Sequence, residues 1–384
     1  SLEDDAYFVD GIYDDLITQI ARIGAIKTIS RRTMEHYRNV DRPVPDIARE
    51  VGSATVMTCA VQRAAQRLRI NVQLIDAGSD VSLWAQTYDR ELDSRQIFAV
   101  QSEIAGAVAS HLEAALSPAD SGELERAPTA DFAAYEAYLM GRQRQFKRSS
   151  VSLEQAVTYF QKAAELDPEY ALAYAGLADT YMLLGEYGDL SLKEMLAAAE
   201  PPVQKALRLD STLAPAHATL GAILTKAGNH VGAEAAFRRA IELDPNFATA
   251  YHWYGDLLLS YVGRPEAALP LLGRARELDP LSPIVIITQG EALEAIGRVD
   301  DALAAYRKAI EIEPDFPLAY LLVSQLHRFW RGRLDEAVRW GREMVALDPG
   351  NASGCTILSL AYLDLGDADE AERWLKRAFA LGPG

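Results

Sequence analysis

The apolar and polar positions follow a helical pattern over the C-terminal two thirds of the chain. Ala233, Phe237 and Ala240 are spaced four and three residues apart, which places them on one stripe of a helix. Pro245 has no N–H to donate and biases the residue before it away from helical dihedrals, so this helix must end there. The same periodicity restarts after Pro245. The pattern therefore predicts a helix–turn–helix unit that a proline closes.

This closing residue recurs at a nearly constant spacing of 43, 34, 35, 34, 35 and 34 residues. A period of about 34 residues that contains two helices resembles the tetratricopeptide repeat. The pattern predicts seven such repeats over residues 134–384, with an insertion around residues 186–192 in the longest unit. The landmarks are Pro168, Ser211 in the place of proline, Pro245, Pro280, Pro314, Pro349 and Pro383.

Residue size along the repeats fits paired helices. A small residue recurs in the first helix of each unit, where the second helix comes close, and a bulky residue recurs in the second helix. A single hairpin cannot bury its apolar face, so the units are expected to depend on their neighbours. The small positions are Gly141, Ala178, Gly221, Gly255, Gly290, Ser324 and Ser359, and the bulky ones are Phe160, Phe237, Leu272, Tyr306 and Leu375.

Residues 1–117 have a different pattern, which predicts a small α/β module. Apolar residues alternate with polar ones over 67–76, as expected for a strand with one buried face. The acidic residues Asp10, Asp14 and Asp15 are predicted in the first turns of a helix, where the helix dipole favours negative charge. The predicted helices are 10–23, 43–51 and 93–116, and the predicted strands are 25–30, 54–63, 67–76 and 81–88.

The motifs YFVDGIYDDLITQIARIGAIKTISR, IAREVG, RLRINVQLIDAGSDVSLWAQTYDREL and IFAVQSEIA resemble the TolB amino-terminal-like (FlgO-like) module over residues 7–116. In that family the module accompanies tetratricopeptide repeats in bacterial class III adenylate cyclase-related proteins and CadC-type transcriptional regulators. Cys59-Ala60 replaces the family's usual Gly-Ser. The family's apolar strand before Tyr7 is absent, so an incomplete sheet is expected, and restoring the natural upstream residues should raise the module's melting temperature.

The charge of the chain argues against nucleic acid as a partner. The net charge is −17, with 12 basic and 17 acidic residues in 1–117 and 26 and 38 in the remainder. Phosphate binding requires clustered Lys and Arg, and neither part is basic. Residues 118–133 are polar and lack periodicity, which predicts a linker between the α/β module and the mostly α repeats of 134–384.

The sequence contains no motif for catalysis, metal or cofactor binding. There is no Gly-rich phosphate loop, HExxH, paired-cysteine spacing or Gly-x-Ser-x-Gly elbow, so a non-enzyme without cofactor is predicted. Cys59 and Cys355 cannot form a disulfide framework, which favours a cytoplasmic location. A membrane helix upstream would instead place the chain in the periplasm. No apolar run reaches the ~18 residues of a membrane span.

The resemblance to tetratricopeptide repeats implies a protein-interaction scaffold whose first helices line a concave groove. The Lys-and-Asn clamp of chaperone-binding relatives is absent, so a C-terminal carboxylate is not expected as ligand. The predicted groove is acidic in its middle and is apolar and cationic in its later part. This pattern favours a partner segment that is extended or helical, partly basic and anchored by an apolar residue. Self-association through the last repeat is a further expectation. The predicted groove residues are Tyr138, Arg142, Asp179, Lys226, His252, Asp256, Ile287, Glu291, Glu294, Leu321, Gln325, Arg328 and Phe329.

The same resemblance predicts that the chain is the non-catalytic, sensory half of a bacterial signalling protein. The alternatives are a fragment of a class III adenylate cyclase whose catalytic domain lies outside this chain, or of a membrane-anchored transcriptional regulator. A cyclase domain, a winged helix or a membrane span encoded upstream would distinguish them.

Overall fold

The chain divides into two units, Ser1–Leu257 and Leu258–Gly384, each with hydrophobic clusters of its own. The structure is a computed structural model that describes residues 6–382 apart from 39, 41, 65, 115, 117–121 and 123–126. The fold is mostly α, with a small sheet near the N-terminus, as the sequence predicts. Half of the predicted linker 118–133 lies outside the described residues, and the domain boundary there stays a prediction.

The first part of unit 1 is an antiparallel sheet in the order β1-β2-β3, packed against helices. Strand β2 turns Leu68, Ile70, Val72 and Leu74 inward, because successive side chains of a strand point to opposite faces. Gly52 ends α3 in the left-handed conformation at φ 68°. The elements are α1 Ala6–Arg22, α2 Arg31–Glu35, α3 Val44–Val51, β1 Thr55–Ala64, β2 Arg67–Asp76, β3 Val81–Glu91 and α4 Ser94–His111.

Two predictions for this part are wrong. Residues 25–30 pair with no strand in the described chain, and the main-chain oxygen of Ile26 instead accepts a hydrogen bond from Asn246 Nδ2 at 2.7 Å. Helix α1 begins at Ala6, several residues before the predicted start. Asp14 and Asp15 therefore lie in mid-helix, where the dipole does not stabilise them, and their partners belong to other elements.

The rest of unit 1 consists of helices that pack in sequence, α5 on α6, α7 on α8 and α9 on α10. Each pair is a helical hairpin of the kind that the 34-residue period predicts. Asp131 caps α5 by accepting a hydrogen bond from the Ala134 N–H at 2.9 Å. The bounds are α5 Phe132–Phe146, α6 Ser150–Leu166, α7 Ala171–Tyr187, α8 Leu192–Leu209, α9 Ala214–Lys226, α10 His230–Leu243 and α11 Ala248–Asp256.

Unit 2 contains helices of similar length, and its first residues, from Leu258, belong to a π-helical turn at Leu257–Tyr261. Within unit 2, α13 packs on α14, α15 on α16 and α17 on α18. The bounds are α12 Pro265–Leu278, α13 Pro283–Ala295, α14 Val299–Ile312, α15 Pro317–Phe329, α16 Leu334–Leu347, α17 Ala352–Leu365 and α18 Ala368–Leu381.

The predicted small and bulky positions meet inside the hairpins. A Cβ added to Gly221 would lie 2.6 Å from the ring of Phe237, and one added to Gly290 would lie 2.5 Å from that of Tyr306. Glycine at these positions therefore lets the aromatic ring fill the space between the two helices. Leu375 differs from the other bulky positions, because it lies on α18 and is 41% exposed.

The α/β part and the first repeat share one hydrophobic cluster. Phe8, Ile12 and Leu16 of α1 are fully buried in the same cluster as Tyr135 and Phe160. A Cβ added to Gly11 of α1 would lie 2.5 Å from the side chain of Leu139, so Leu139 packs directly against the backbone of α1. The α/β part thus buries a face of the first repeat that a preceding repeat would otherwise cover.

The end of α1 also contacts a much later loop. The Asn246 side chain donates to the main-chain oxygens of Ala21 and Ile26, both at 2.7 Å, and Asn246 itself is 8% exposed. These bonds satisfy a carbonyl that the end of a helix leaves without an intrahelical donor. The loop before α11 is thereby tied to the N-terminal helix within unit 1.

Candidate functional site

In unit 1, the first two predicted groove residues lie under α1. Tyr138 is 4% exposed, and its hydroxyl accepts from Arg142 Nη1 at 2.9 Å. Arg142 Nη2 donates to Asp14 Oδ2 at 3.2 Å, and the same oxygen accepts from Arg31. Part of the predicted groove is therefore a contact within the chain.

The carboxyl of Asp15 is coupled to the same interface. The Tyr135 hydroxyl donates to Asp15 Oδ2 at 2.6 Å, and Gln101 Nε2 donates to the Tyr135 hydroxyl at 3.4 Å. Burial raises the pKa of Asp15 to about 6, against the lowering effects of the Tyr135 bond and of Arg142. Burial likewise raises the pKa of Asp179 to about 6, although Gln145 Nε2 donates to it at 2.9 Å.

The raised pKa of Asp15 gives a pH-dependent prediction. The folded state holds this proton more tightly than the unfolded chain, so its contribution to stability is present at low pH and is lost as the pH rises through about 6. Asp15→Asn keeps an acceptor for Tyr135 and removes the charge. We expect the free energy of unfolding of the variant, relative to that of the wild type, to increase by about 2 kcal/mol as the pH rises from 4 to 8.

The pH dependence is measured by urea unfolding at each pH, with Asp315→Asn as the control because Asp315 is exposed. A gain by Asp15→Asn that does not change with pH would contradict the assignment of the titration to Asp15.

Three further predicted residues of unit 1 differ in exposure. Lys226 at the end of α9 is exposed, whereas His252 and Asp256 on α11 are partly buried. All three have interactions with other groups of the chain. The structure does not bring them together with Tyr138 and Arg142 through any described hydrogen bond or ion pair.

In unit 2, Ile287 does not line a groove. It is fully buried and belongs to the cluster of Tyr306 and Val323, so its prediction as a groove residue is wrong. Its neighbours on α13, Glu291 and Glu294, remain partly exposed. Helix α13 is buried around most of its circumference, and Ile287 therefore packs in the core with residues of α14 and α15.

Helix α15 presents the remaining predicted residues. Leu321, Gln325 and Arg328 are partly buried, and Phe329 is 65% exposed. Arg328 Nε donates to Asp364 Oδ2 of α17 at 2.6 Å, and the Arg328 guanidinium lies 4.5 Å from the centre of the Phe329 ring. Arg328 thus joins the ends of α15 and α17.

The sequence analysis missed four residues of this surface: Trp330, Leu363, Asp364 and Leu365. Leu363 and Asp364 occupy the positions of Arg328 and Phe329 one repeat later, so the repeat spacing could have identified them. Leu363 is 59% and Leu365 49% exposed. Trp330, 52% exposed, lies just past α15, and no periodic signal marks it. We call Glu294, Phe329, Trp330, Leu363, Asp364 and Leu365 the unit 2 surface.

In the described part of the chain, no three His, Cys, Asp or Glu side chains are grouped so that they could hold a metal ion. No described helix combines the length and the apolar character that crossing a bilayer requires. Burial raises the pKa of the Cys59 thiol to about 12, which disfavours a reactive thiolate there.

These helical hairpins define a helical-repeat protein, and residues 214–383 carry tetratricopeptide repeats. Models of the tetratricopeptide repeat family match residues 214–247, 236–269, 257–317, 287–352 and 352–383. The repeat class predicted from the 34-residue period is thereby confirmed over this range.

Among curated proteins, the chain is similar to "Putative adenylate cyclase 3" of Rhizobium meliloti, with 33% identity over 172 residues, which cover 45% of this chain and 29% of that protein. It is also similar to the transcriptional regulator HilA of Salmonella typhimurium, with 26% identity over 166 residues, 43% of this chain and 30% of HilA. The chain thus spans about a third of the length of these relatives.

Among solved structures, the chain is similar to a chain of the "APC/C hetero-tetramer Cut9-Hcn1", with a TM-score of 0.52 and 15% identity, and the match covers 76% of this chain and 51% of that one. At this identity the likeness concerns the fold alone.

Proposed function

We propose that this chain is a protein-interaction scaffold that binds a segment of a partner protein along the first helices of its repeats. The observation that carries the proposal is the unit 2 surface, where the large apolar side chains of Phe329, Trp330 and Leu363 are 65%, 52% and 59% exposed. Exposed apolar side chains rimmed by polar groups mark interaction sites. The fold supports this role because stacked hairpins present an extended surface.

The charges around the unit 2 surface favour a partly basic partner segment with an apolar anchor. Glu291 and Glu294 of α13 lie one turn apart, and Asp364 lies beside the exposed Leu363 and Leu365. Complementary charge steers association and suppresses incorrect partners. In unit 1 the corresponding face is covered at Tyr138 and Arg142 by α1, so we place the partner on unit 2.

The test is an array of synthetic peptides, extended and helical, with varied basic and apolar positions. The peptides that bind best are expected to lose at least tenfold in affinity with the variants Phe329→Ala and Glu291→Lys. Glu311→Lys is the charge-matched control, because Glu311 lies on α14 and its side chain is 67% exposed. Equal effects of Glu291→Lys and Glu311→Lys, together with no effect of Phe329→Ala, would exclude this surface.

A more specific proposal is that the scaffold is the regulatory, non-catalytic part of a bacterial signalling protein. The likeness to "Putative adenylate cyclase 3" of Rhizobium meliloti and to HilA supports it, since the match covers only about a third of each of these longer proteins. Sequencing the gene upstream tests it. A cyclase domain or a winged helix encoded there would support the proposal, and an unrelated, complete gene would refute it.

A second contact, self-association, is proposed at the last helix. Phe379 of α18 is 78% exposed, and Leu375, one turn earlier on the same helix face, is 41% exposed. Phe379→Glu is expected to reduce any concentration-dependent dimer in sedimentation velocity. If the wild type and Phe379→Glu both sediment as monomers over the same concentrations, this contact is ruled out.

A further inference from the structure

The carboxylate of Glu294 is held by two neutral donors. Tyr306 donates from its hydroxyl to Oε2 at 2.8 Å, and Trp330 donates from Nε1 to Oε1 at 2.8 Å. Neither donor carries a charge that would neutralise the carboxylate. No described Lys, Arg or His forms an ion pair with Glu294. The result is an oriented anion whose charge is uncompensated.

The indole beside this anion is both oriented and accessible. Its N–H edge is fixed by Glu294, and Trp330 remains 52% exposed. The neighbouring ring differs, because the Arg328 guanidinium already lies 4.5 Å from the centre of Phe329. Aromatic faces attract cations, and tryptophan attracts them most strongly. Glu294 and Trp330 therefore combine a carboxylate with an aromatic surface that Arg328 does not occupy.

We propose that Glu294 and Trp330 bind the side chain of one arginine of the partner segment, an inference that rests on the proposed function. Each carboxylate oxygen accepts one bond from the protein and keeps a second lone pair. A guanidinium can donate one N–H to each of these lone pairs while its plane stacks on the indole. An ammonium offers no such fork, so arginine is preferred to lysine.

The experiment follows the indole N–H resonances of the full chain labelled with ¹⁵N-tryptophan. The chain has five tryptophans, and Trp330→Phe assigns the signal of Trp330. The probe is N-acetyl-arginine amide, titrated against the lysine and citrulline analogues. The Trp330 signal is expected to shift with the arginine probe, at least threefold less with the lysine probe and not with neutral citrulline.

Glu294→Gln is expected to abolish the shift that the arginine probe causes, while its circular dichroism stays that of the wild type. Glu343→Gln, at an exposed position of α16, is the matched control and should leave the shift unchanged. The proposal is overturned if citrulline shifts the signal equally, or if Glu294→Gln responds like the wild type. If peptides of the array still depend on Phe329 but not on Glu294, the proposed function stands and the arginine assignment fails.

Discussion

Tyr135→Ala is expected to lower the free energy of unfolding of unit 1 by about 4 kcal/mol. Tyr135 is fully buried, and its ring packs edge-to-face on Phe98 with the centroids 4.9 Å apart. Removing the ring leaves a cavity between α4 and α5. It also removes the donor of Asp15, whose carboxyl then keeps its burial without this hydrogen bond.

The control for this prediction is Tyr135→Phe, which keeps the ring and removes only the hydroxyl. We expect it to cost about 2 kcal/mol, because Asp15 and Gln101 each lose a partner. Hydrogen exchange of the α1 and α5 amides is the measurement, since a chain of two units need not unfold in one transition. A loss of protection confined to α5, with α1 unchanged, would contradict the shared core.

Local periodicity predicted the repeats correctly because each hairpin is specified by its own residues. The restart of the apolar stripe after Pro245 and the small positions such as Gly221 and Gly290 express contacts within a few tens of residues. Strand β2 could be predicted for the same reason, because its alternation is local. The strand predicted around Ile29 was wrong because a short apolar run does not reveal whether a neighbouring strand will pair with it.

The candidate site was less predictable because exposure depends on contacts that are distant in sequence. The repeat pattern places Tyr138 and Arg142 on an open groove, but helix α1, over a hundred residues earlier, lies against them. Ile287 has the repeat position of a groove residue, but its side chain is apolar and the structure buries it in the core. Trp330 lies past the end of α15, so only the bond to Glu294 relates it to the surface.

The second large effect is expected at the centre of the third hairpin. Phe237 is 1% exposed, and its ring stacks on that of Tyr254 with the centroids 6.1 Å apart. Phe237→Ala removes this ring from between α9 and α10 and is expected to cost about 4 kcal/mol. Hydrogen exchange of the α9 and α10 amides measures the loss. A cost below about 1 kcal/mol would mean that the ring contributes little to the hairpin.

A double-mutant cycle with Gly221 tests the reason for that cost. In the wild type a Cβ at Gly221 would lie 2.6 Å from the Phe237 ring, so Gly221→Ala alone is expected to overpack the hairpin by about 2 kcal/mol. In the Phe237→Ala background the ring is gone, and the added methyl group partly fills the cavity. The double variant should therefore be more stable than the sum of the two losses predicts, by about 2 kcal/mol. Simple additivity would show that glycine is not retained at this position to admit the ring.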